Sequence, residues 1–127
     1  MRILIADDHE TVRKGVCAIL MAHENIQICG EAANGEEAVQ MAFELKPDLI
    51  VLDLSMPVLD GFSAAKQIRK ALPSVPILIL SMQNGQRVAR EAQLAGAQGF
   101  ISKSEAGQVL LKAIRALMNG QTFFNPP

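Results

Sequence analysis

The sequence predicts an α/β protein with one doubly wound parallel sheet of five strands in the order 2-1-3-4-5. Along the 127 residues, short apolar runs alternate five times with longer stretches of helical spacing, which favours strands separated by covering helices. The first, third and fourth runs are unbroken and suit the middle of a parallel sheet, whereas the second alternates and the fifth is short, as edge strands are. The length suits a single domain.

The first two strand–helix units occupy the N-terminal third of the chain. Residues 3–6 form an apolar run, and helical spacing then predicts an amphipathic helix over about residues 11–23. Residues 26–31 alternate between apolar and polar side chains, as a strand with one half-solvated face does. A second helix over residues 36–45 is indicated by acids in its first turn and by an inward stripe that includes Phe43.

The third unit contains the continuous apolar run of residues 48–53, which ends abruptly in Asp53. Its branched residues predict a strand that is buried on both faces. Asp60 can cap a helix over about residues 61–72, and the solvent-facing side of that helix is expected to include Arg69.

The fourth strand is predicted over residues 76–81. Asn84 and Gly85 are expected to open a helix that reaches about Ala95. The apolar set of this helix is thin and includes Leu94, so we expect it to be the least strongly packed helix and the one that shifts most easily.

The last unit is a short strand over residues 98–102 and a helix over about residues 105–119. Ser104 is the expected N-cap of this helix, and Met118 belongs to its inward apolar stripe. Gly120 is a helix stop signal.

Composition argues against several classes of function. The formal net charge of −1 and the lack of basic runs predict no direct DNA binding. Cys17 and Cys29 lack metal or CxxC spacing, so free buried thiols in a reducing compartment are expected. The N-terminal apolar stretch is too short for a signal peptide, and no run approaches a membrane span. We expect a cytoplasmic protein without membrane contact.

Five polar side chains are predicted to converge at the carboxyl ends of four strands. Asp7 and Asp8 follow the first strand, Asp53 ends the third, Ser81 ends the fourth and Lys103 follows the fifth. In the order 2-1-3-4-5 the winding direction reverses between strands 1 and 3, so a crevice opens beside the acids. The sequence therefore predicts a ligand site at this edge.

The chemistry of these side chains suits a phosphoryl group and Mg²⁺. Two carboxylates at ~4 Å repel by about 4 kcal/mol at an effective dielectric of 20, so three of them call for a cation. Oxygen ligands in an open crevice favour Mg²⁺. A hydroxyl from Ser81 and an ammonium from Lys103 suit phosphoryl oxygens. We therefore expect an acyl phosphate to form on Asp53.

Each of these residues has a simpler interpretation when it is taken alone. Two acids after a strand are more often solvated residues at the start of a helix, and a single lysine is more often on the surface. His9 is expected to face solvent. Only the coincidence of five suitable side chains at four strand ends favours a site.

In order and spacing, the chain resembles the receiver domains of response regulators over essentially residues 1–120. The resemblance is carried by Asp7-Asp8, Asp53 with Met56-Pro57 and Asp60-Gly61 after it, Ser81, and Gly99-Phe100-Ile101-Ser102-Lys103. It implies a flavodoxin-like (βα)5 fold and a switch that takes a phosphoryl group from a partner histidine kinase. Such a switch catalyses its own phosphotransfer and slow dephosphorylation and is not an enzyme acting on a passing substrate.

The resemblance also implies roles for single residues. Asp53 is the phosphoacceptor. Asp8 and Asp53 are direct ligands of Mg²⁺ together with the backbone carbonyl of Ser55, and Asp7 acts more through water. Lys103 neutralises charge during the transfer.

The residues that would report phosphorylation follow from the same resemblance. Ser81 and Phe100 match the switch pair, in which the hydroxyl moves onto the phosphoryl oxygens and the aromatic ring turns inward. Ser104 departs from the pattern, because many relatives carry proline after the lysine.

Two copies are expected to pair through helices 1 and 5 or through helix 4, strand 5 and helix 5.

The N-terminal segment 7–15 and the tail 120–127 are similar to those of the NarL/FixJ subfamily, whose output domain is of the LuxR DNA-binding type. This similarity predicts a receiver domain over residues 1–120 and the start of an interdomain linker over residues 121–127. The DNA-binding domain would then lie outside this chain.

Three alternatives stay open at this point. A flavodoxin-like cofactor binder would share the topology, but the acids would repel a flavin phosphate and the chain has no Trp or Tyr to hold the ring. An aspartyl-phosphate phosphatase usually has a second acid where Ser55 stands. A stand-alone receiver would regulate through protein contacts only.

Overall fold

The computed structural model of the protein describes residues 1–83 and 85–124. Within them the strands are β1 (Arg2–Ala6), β2 (Gln27–Ala32), β3 (Leu49–Asp53), β4 (Ile77–Ser81), β5 (Gly99–Ser102) and β6 (Phe123–Phe124). The helices are α1 (Glu10–Met21), α2 (Gly35–Leu45), α3 (Gly61–Ala71), α4 (Gln86–Leu94) and α5 (Ala106–Met118), with a 3₁₀ turn (Lys103–Glu105) before α5. Asn84, expected to open α4, and residues 125–127 of the expected linker lie outside the described residues.

The strands form one parallel sheet in the order β2-β1-β3-β4-β5-β6. The predicted fold class and the order of the first five strands are confirmed. β3 and β4 are buried along their whole length, as continuous apolar runs require. None of the described helices is both long and apolar enough to cross a membrane.

Alternate side chains of each strand enter two cores on opposite faces of the sheet. The core under α2, α3 and α4 contains Leu4, Ile50, Leu52, Ile79 and Phe100. The core under α1 and α5 contains Ile3, Ile5, Val51, Leu78, Leu80 and Ile101. Two of the five helices therefore cover one face and three cover the other, and the carboxyl ends of the strands lie between these two layers of helices.

Three apolar residues that were predicted to face inward are exposed. The side chains of Phe43, Leu94 and Met118 are 43%, 78% and 39% exposed. In α2 and α4 small residues form most of the buried stripe, and the large side chains of Phe43 and Leu94 lie outside it. Leu94 stands two positions after the buried Ala92, which is about 200° around the helix. Weak packing of α4 was expected, and Ala89 and Ala92 are its buried residues.

The N-cap residue was predicted correctly for α3 and wrongly for α5. The Asp60 carboxylate accepts a hydrogen bond from the N–H of Ser63 at 2.9 Å, as an N-cap should. Ser104 caps nothing; its Oγ lies 2.6 Å from Oγ of Ser102 within the 3₁₀ turn, and α5 starts later, at Ala106. Ser104 lies inside the 3₁₀ turn formed by Lys103–Glu105, so it is not the residue that precedes the first turn of α5.

The sixth strand was not predicted. Phe123 and Phe124 lie in register with Gly99 and Phe100 of β5, and they pack against the two opposite cores. Two residues are too few to show an alternating pattern, so this segment had no strand signal in the sequence. The start of the expected linker is therefore held against the sheet edge.

Arg69 was assigned to the solvent-facing side of α3, but its guanidinium is bound to the backbone. Nε and Nη2 donate to the carbonyl oxygen of Gly96 at 3.0 and 2.9 Å, and Nη2 also donates to Oε1 of Gln98 at 2.6 Å. Nη1 donates to the carbonyl oxygens of Leu72 and Pro73. The side chain therefore ties the end of α3 to the turn between α4 and β5.

We expect Arg69→Met to lower the free energy of unfolding by about 2 kcal/mol, because hydrogen bonds to charged groups contribute roughly 1.5–3 kcal/mol. Lys66→Met, at an exposed position of the same helix, is the matched control and should change stability by less than about 0.5 kcal/mol. Urea unfolding followed by circular dichroism measures both. Equal stability of the two variants would contradict the assigned role of Arg69.

Candidate functional site

The predicted polar residues lie at the carboxyl edge of the sheet, at or directly after the ends of β1, β3, β4 and β5. Asp7, Asp53 and Ser81 are each 2% exposed, and the side chain of Lys103 is 7% exposed. Asp8 is less enclosed, with a side chain that is 26% exposed. Four of these side chains are therefore buried polar groups, which require partners or a ligand.

Lys103 is the centre of the cluster. Its Nζ lies 2.9 Å from Oδ2 of Asp7 and 3.0 Å from Oδ1 of Asp53, so one ammonium bridges carboxylates from two strands. Burial by itself lowers the pKa of Lys103, but the contacts with Asp7 and Asp53 outweigh burial and raise it. The lysine is therefore held as a cation in the site.

The charge of Asp53 is only partly compensated by that cation. Burial raises the pKa of Asp53 from 3.8 to about 6; Lys103 opposes this increase, while the charge of Asp7 and the contact with Asp8 add to it. The carboxyl group thus ionises less readily than an ordinary aspartate. A further cation would relieve the repulsion among the three acids.

Asp7, Asp8, His9 and Asp53 each place a potential ligand atom within 4.8 Å of the others. Oδ2 of Asp53 is buried and receives no hydrogen bond from the residues that the structure describes. An unpartnered buried carboxylate oxygen beside other carboxylates suits a hard cation such as Mg²⁺. The predicted oxygen ligands therefore fit this metal.

His9 faces solvent as predicted, with a side chain that is 65% exposed. Its Nδ1 nevertheless lies 3.2 Å from Oδ1 of Asp8 and 3.6 Å from Oδ1 of Asp7, and its backbone N–H donates to Oδ1 of Asp7 at 2.9 Å. Sequence reasoning missed this association. Its only sequence signal was that His9 follows directly after the two acids.

Ser81 and Phe100 occupy neighbouring strands. Oγ of Ser81 accepts a hydrogen bond from the N–H of Gln83 at 3.0 Å, so the hydroxyl is bound within its own loop. Phe100 is fully buried in the core under α4, as an inward ring requires, and lies in register with Ile79 and Phe124. Their role as a switch pair stays a prediction.

The loop after β3 brings the chain back against Asp53. Ser55 lies in the exposed part of this loop, two residues after Asp53, and its carbonyl stays a predicted ligand. The N–H of Gly61 donates to the carbonyl oxygen of Leu54 at 2.8 Å. A Cβ at Gly61 would lie 2.4 Å from the carbonyl oxygen of Asp53 and 2.8 Å from Cα of Leu54. Only glycine allows this close return.

Gly61→Ala is expected to lower the free energy of unfolding by about 2 kcal/mol, because overpacking against backbone atoms costs roughly 1–3 kcal/mol. Gly107→Ala is the control, since a Cβ there meets nothing within 4 Å. That helical substitution should stabilise by about 0.5–1 kcal/mol. Thermal unfolding compares the two variants, and a gain in stability for Gly61→Ala would contradict the close packing.

The fold and this cluster together define a class of protein. A parallel sheet that carries an acid pair, a third acid and a buried lysine at its switch point is the arrangement of a receiver domain. The chain belongs to the family of response regulator receiver domains, whose sequence model matches residues 3–115. The expected resemblance is confirmed, and the flavin-binding alternative is set aside.

Particular relatives agree with this membership. The chain is 37% identical over 126 residues to the response regulator protein VraR of Staphylococcus aureus, covering 99% of this chain and 60% of VraR. The chain therefore spans about 60% of the length of this relative.

Solved structures give the same picture. A LuxR-family two-component response regulator from Aurantimonas sp. SI85-9A1 matches with a TM-score of 0.94 and 34% identity, over 98% of this chain and 89% of that one. The isolated receiver domain of RcsB from Salmonella enterica serovar Typhimurium, determined in the presence of the phosphomimetic BeF₃⁻, matches with a TM-score of 0.88 and 30% identity. That match covers 98% of this chain and 92% of the RcsB chain.

Proposed function

We propose that Asp53 accepts a phosphoryl group from a histidine kinase in a reaction that requires Mg²⁺. The observation that carries the proposal is the state of its two oxygens. Oδ1 is bound to Lys103 at 3.0 Å, whereas the buried Oδ2 has no hydrogen-bond partner among the described residues. Lys103 thus holds Oδ1 in place, and the lone pairs of Oδ2 are available to bind a metal or to form a new bond.

The transfer exchanges one bond for another. An oxygen of the Asp53 carboxylate attacks phosphorus, the bond from phosphorus to the phosphohistidine nitrogen of the kinase breaks, and the electron pair returns to the imidazole. Lys103 remains charged throughout and lies close enough to bind a phosphoryl oxygen as charge shifts onto Asp53. Asp7 keeps the ammonium in position from the other side.

Asp8 and Asp53 would hold Mg²⁺ directly, together with the carbonyl of Ser55, while Asp7 would act through water. The metal, when bound, neutralises negative charge on the acids and on the phosphoryl oxygens. The crowding of Asp7, Asp8 and Asp53 within 4.8 Å supports such a site.

Phosphorylation would be reported by Ser81 and Phe100. Oγ of Ser81 accepts a hydrogen bond from the N–H of Gln83, and its own O–H can still donate to a phosphoryl oxygen. A movement of this hydroxyl onto the phosphoryl group would disturb the end of β4, which lies shortly before the weakly packed α4 in the chain. Because Phe100 packs against α4 and lies in register with Phe124, a change there reaches both the helix and the segment that leaves the domain.

In the longer protein, the receiver over residues 1–120 would control a LuxR-type DNA-binding domain through a linker that begins at residues 121–127. Similarity to LuxR-family response regulators supports this. Two copies would pair through α1 and α5 or through the surface of α4, β5 and α5. The free thiols of Cys17 and Cys29 fit a cytoplasmic protein.

The test is incubation with Mg²⁺ and phosphoramidate, followed by intact-mass measurement. The wild type should gain one phosphoryl group, and Asp53→Asn or wild type in excess EDTA should gain none. Asp48→Asn, which alters an acid that binds the N–H of Arg2 far from the cluster, should be phosphorylated normally. A mass gain retained by Asp53→Asn would refute the proposal.

A further inference from the structure

The turn that carries Asp7 and Asp8 is held from behind by Arg13 of α1. Nη1 of Arg13 donates to the carbonyl oxygen of Asp7 at 2.7 Å, and Nε donates to Oε1 of Glu31 at 3.0 Å. The Arg13 side chain is only 15% exposed. A charged hydrogen bond to a backbone carbonyl at this depth restrains the turn strongly.

The backbone on both sides of Asp7 is thereby fixed. Its N–H donates to the carbonyl oxygen of Ala32 at the end of β2, at 3.0 Å, and its carbonyl oxygen accepts from Arg13. Glu31, the residue before Ala32, anchors the guanidinium and also receives Nζ of Lys14 at 3.0 Å. The hydrogen bonds from Lys14 and Arg13 lower the pKa of Glu31, so Glu31 stays ionised as the anchor.

We propose that Arg13 is a positioning residue for the metal site: by holding the Asp7 carbonyl, it sets the direction in which the carboxylates of Asp7 and Asp8 face Asp53. The inference rests on the proposed function, since it concerns affinity for Mg²⁺. Arg13 touches neither the metal nor the phosphoryl group and acts through the turn. Mutation of a residue that hydrogen-bonds to a metal ligand typically lowers metal affinity by about 10–100-fold.

The charge of Arg13 and its hydrogen bond to the Asp7 carbonyl should have opposite effects on the affinity for Mg²⁺, so the two roles can be separated by experiment. Arg13 is a cation near three acids, so its electrostatic effect alone disfavours Mg²⁺, and removal of the charge would tighten binding. Loss of the bond to the Asp7 carbonyl would instead loosen the turn and weaken binding. The sign of the change therefore separates the two roles.

Lys14 provides the matched control. It has the same charge, stands next to Arg13 in sequence and binds the other oxygen of Glu31. No hydrogen bond joins Lys14 to Asp7 among the described residues. Lys14→Met thus removes the same charge from the same partner without releasing the turn.

The experiment measures Mg²⁺ binding to unphosphorylated protein by calorimetry. For Arg13→Met the dissociation constant should rise about tenfold, and for Lys14→Met it should stay the same or fall. Arg13→Lys keeps the charge but lacks the fork that reaches both Glu31 and Asp7, so its affinity should also drop. Binding by Arg13→Met that equals or exceeds wild type would overturn the inference.

Folding of the variants is checked by circular dichroism in the same buffers. If Arg13→Met does not fold, Arg13→Lys decides, and an unchanged Mg²⁺ affinity in that variant overturns the inference. The half-saturating Mg²⁺ concentration for phosphorylation should rise in parallel, with little change in rate at saturating metal. Asp53-dependent phosphorylation of the wild type tests the proposed function separately, so the two ideas can fail independently.

Discussion

Lys103→Met is expected to lower the free energy of unfolding of the metal-free protein by about 3 kcal/mol at pH 7. The reason is that removal of one partner from a buried ion pair costs roughly 3–5 kcal/mol, because it leaves an uncompensated charge. Here the loss leaves both Asp7 and Asp53 without the cation that lies 2.9 and 3.0 Å from them. Methionine retains most of the apolar stem, so the change isolates the charge.

Two further results should accompany that loss. Saturating Mg²⁺ should recover part of the stability, because a second cation replaces the first. The deficit should also shrink as the pH falls, because Lys103 lowers the pKa of Asp53 in the wild type, so that without Lys103 this carboxyl group takes up its proton at a higher pH and becomes neutral. Circular dichroism is the suitable probe, since the chain has no Trp or Tyr. Lys66→Met is the exposed control, and a Lys103→Met protein as stable as this control would disprove the role of the buried ammonium.

The second large effect concerns Asp53→Asn, which should raise the free energy of unfolding of metal-free protein at pH 7 by up to about 3 kcal/mol. The pKa of Asp53 is raised from 3.8 to about 6 in the folded state. Each unit of such a shift corresponds to about 1.4 kcal/mol between the charged and neutral forms. The neutral amide avoids the unfavourable charged form, and its oxygen can still accept from Lys103.

The raised pKa of Asp53 also predicts how the free energy of unfolding depends on pH. Between pH 4 and 6 the folded protein holds a proton on Asp53 that the unfolded chain has already released, so the contribution of Asp53 to stability falls as pH rises through this window and is level above it. Asp53→Asn should lack that fall, and the two proteins should converge near pH 4. Stability is measured in EDTA, with exposed Glu24→Gln as control. Parallel curves for wild type and Asp53→Asn would rule out the raised pKa.

Most of the fold was predictable because its signals are local. Continuous apolar runs identified the central strands, and helical spacing identified all five major helices. The exceptions are positions on the helices: Phe43 and Met118 each stand one position after a buried residue, about 100° around the helix, whereas Leu94 stands about 200° from Ala92. β6 is two residues long, too short for any periodicity, so its pairing with β5 depends on the sheet edge being present.

The sequence was enough to predict which side chains lie at the carboxyl edge of the sheet, but it did not predict the hydrogen bonds and ion pairs that they form there. Strand ends in a parallel sheet meet at one edge, so the order 2-1-3-4-5 was enough to bring Asp7, Asp8, Asp53, Ser81 and Lys103 together. Nothing in their spacing showed that the Ser81 hydroxyl would be bound to its own loop.

The sequence by itself determined the order of the first five strands and the acids and lysine at their ends, because burial patterns and parallel topology follow from local periodicity. The class of protein followed from the resemblance of its motifs to those of receiver domains. Only the tertiary structure decided that Lys103 bridges Asp7 and Asp53 and that the guanidinium groups of Arg13 and Arg69 bind backbone carbonyls. Long cationic side chains have several rotatable bonds, so a helical pattern cannot tell a solvated arginine from one that reaches back to a partner. That choice depends on which carbonyls and carboxylates the folded chain leaves within reach.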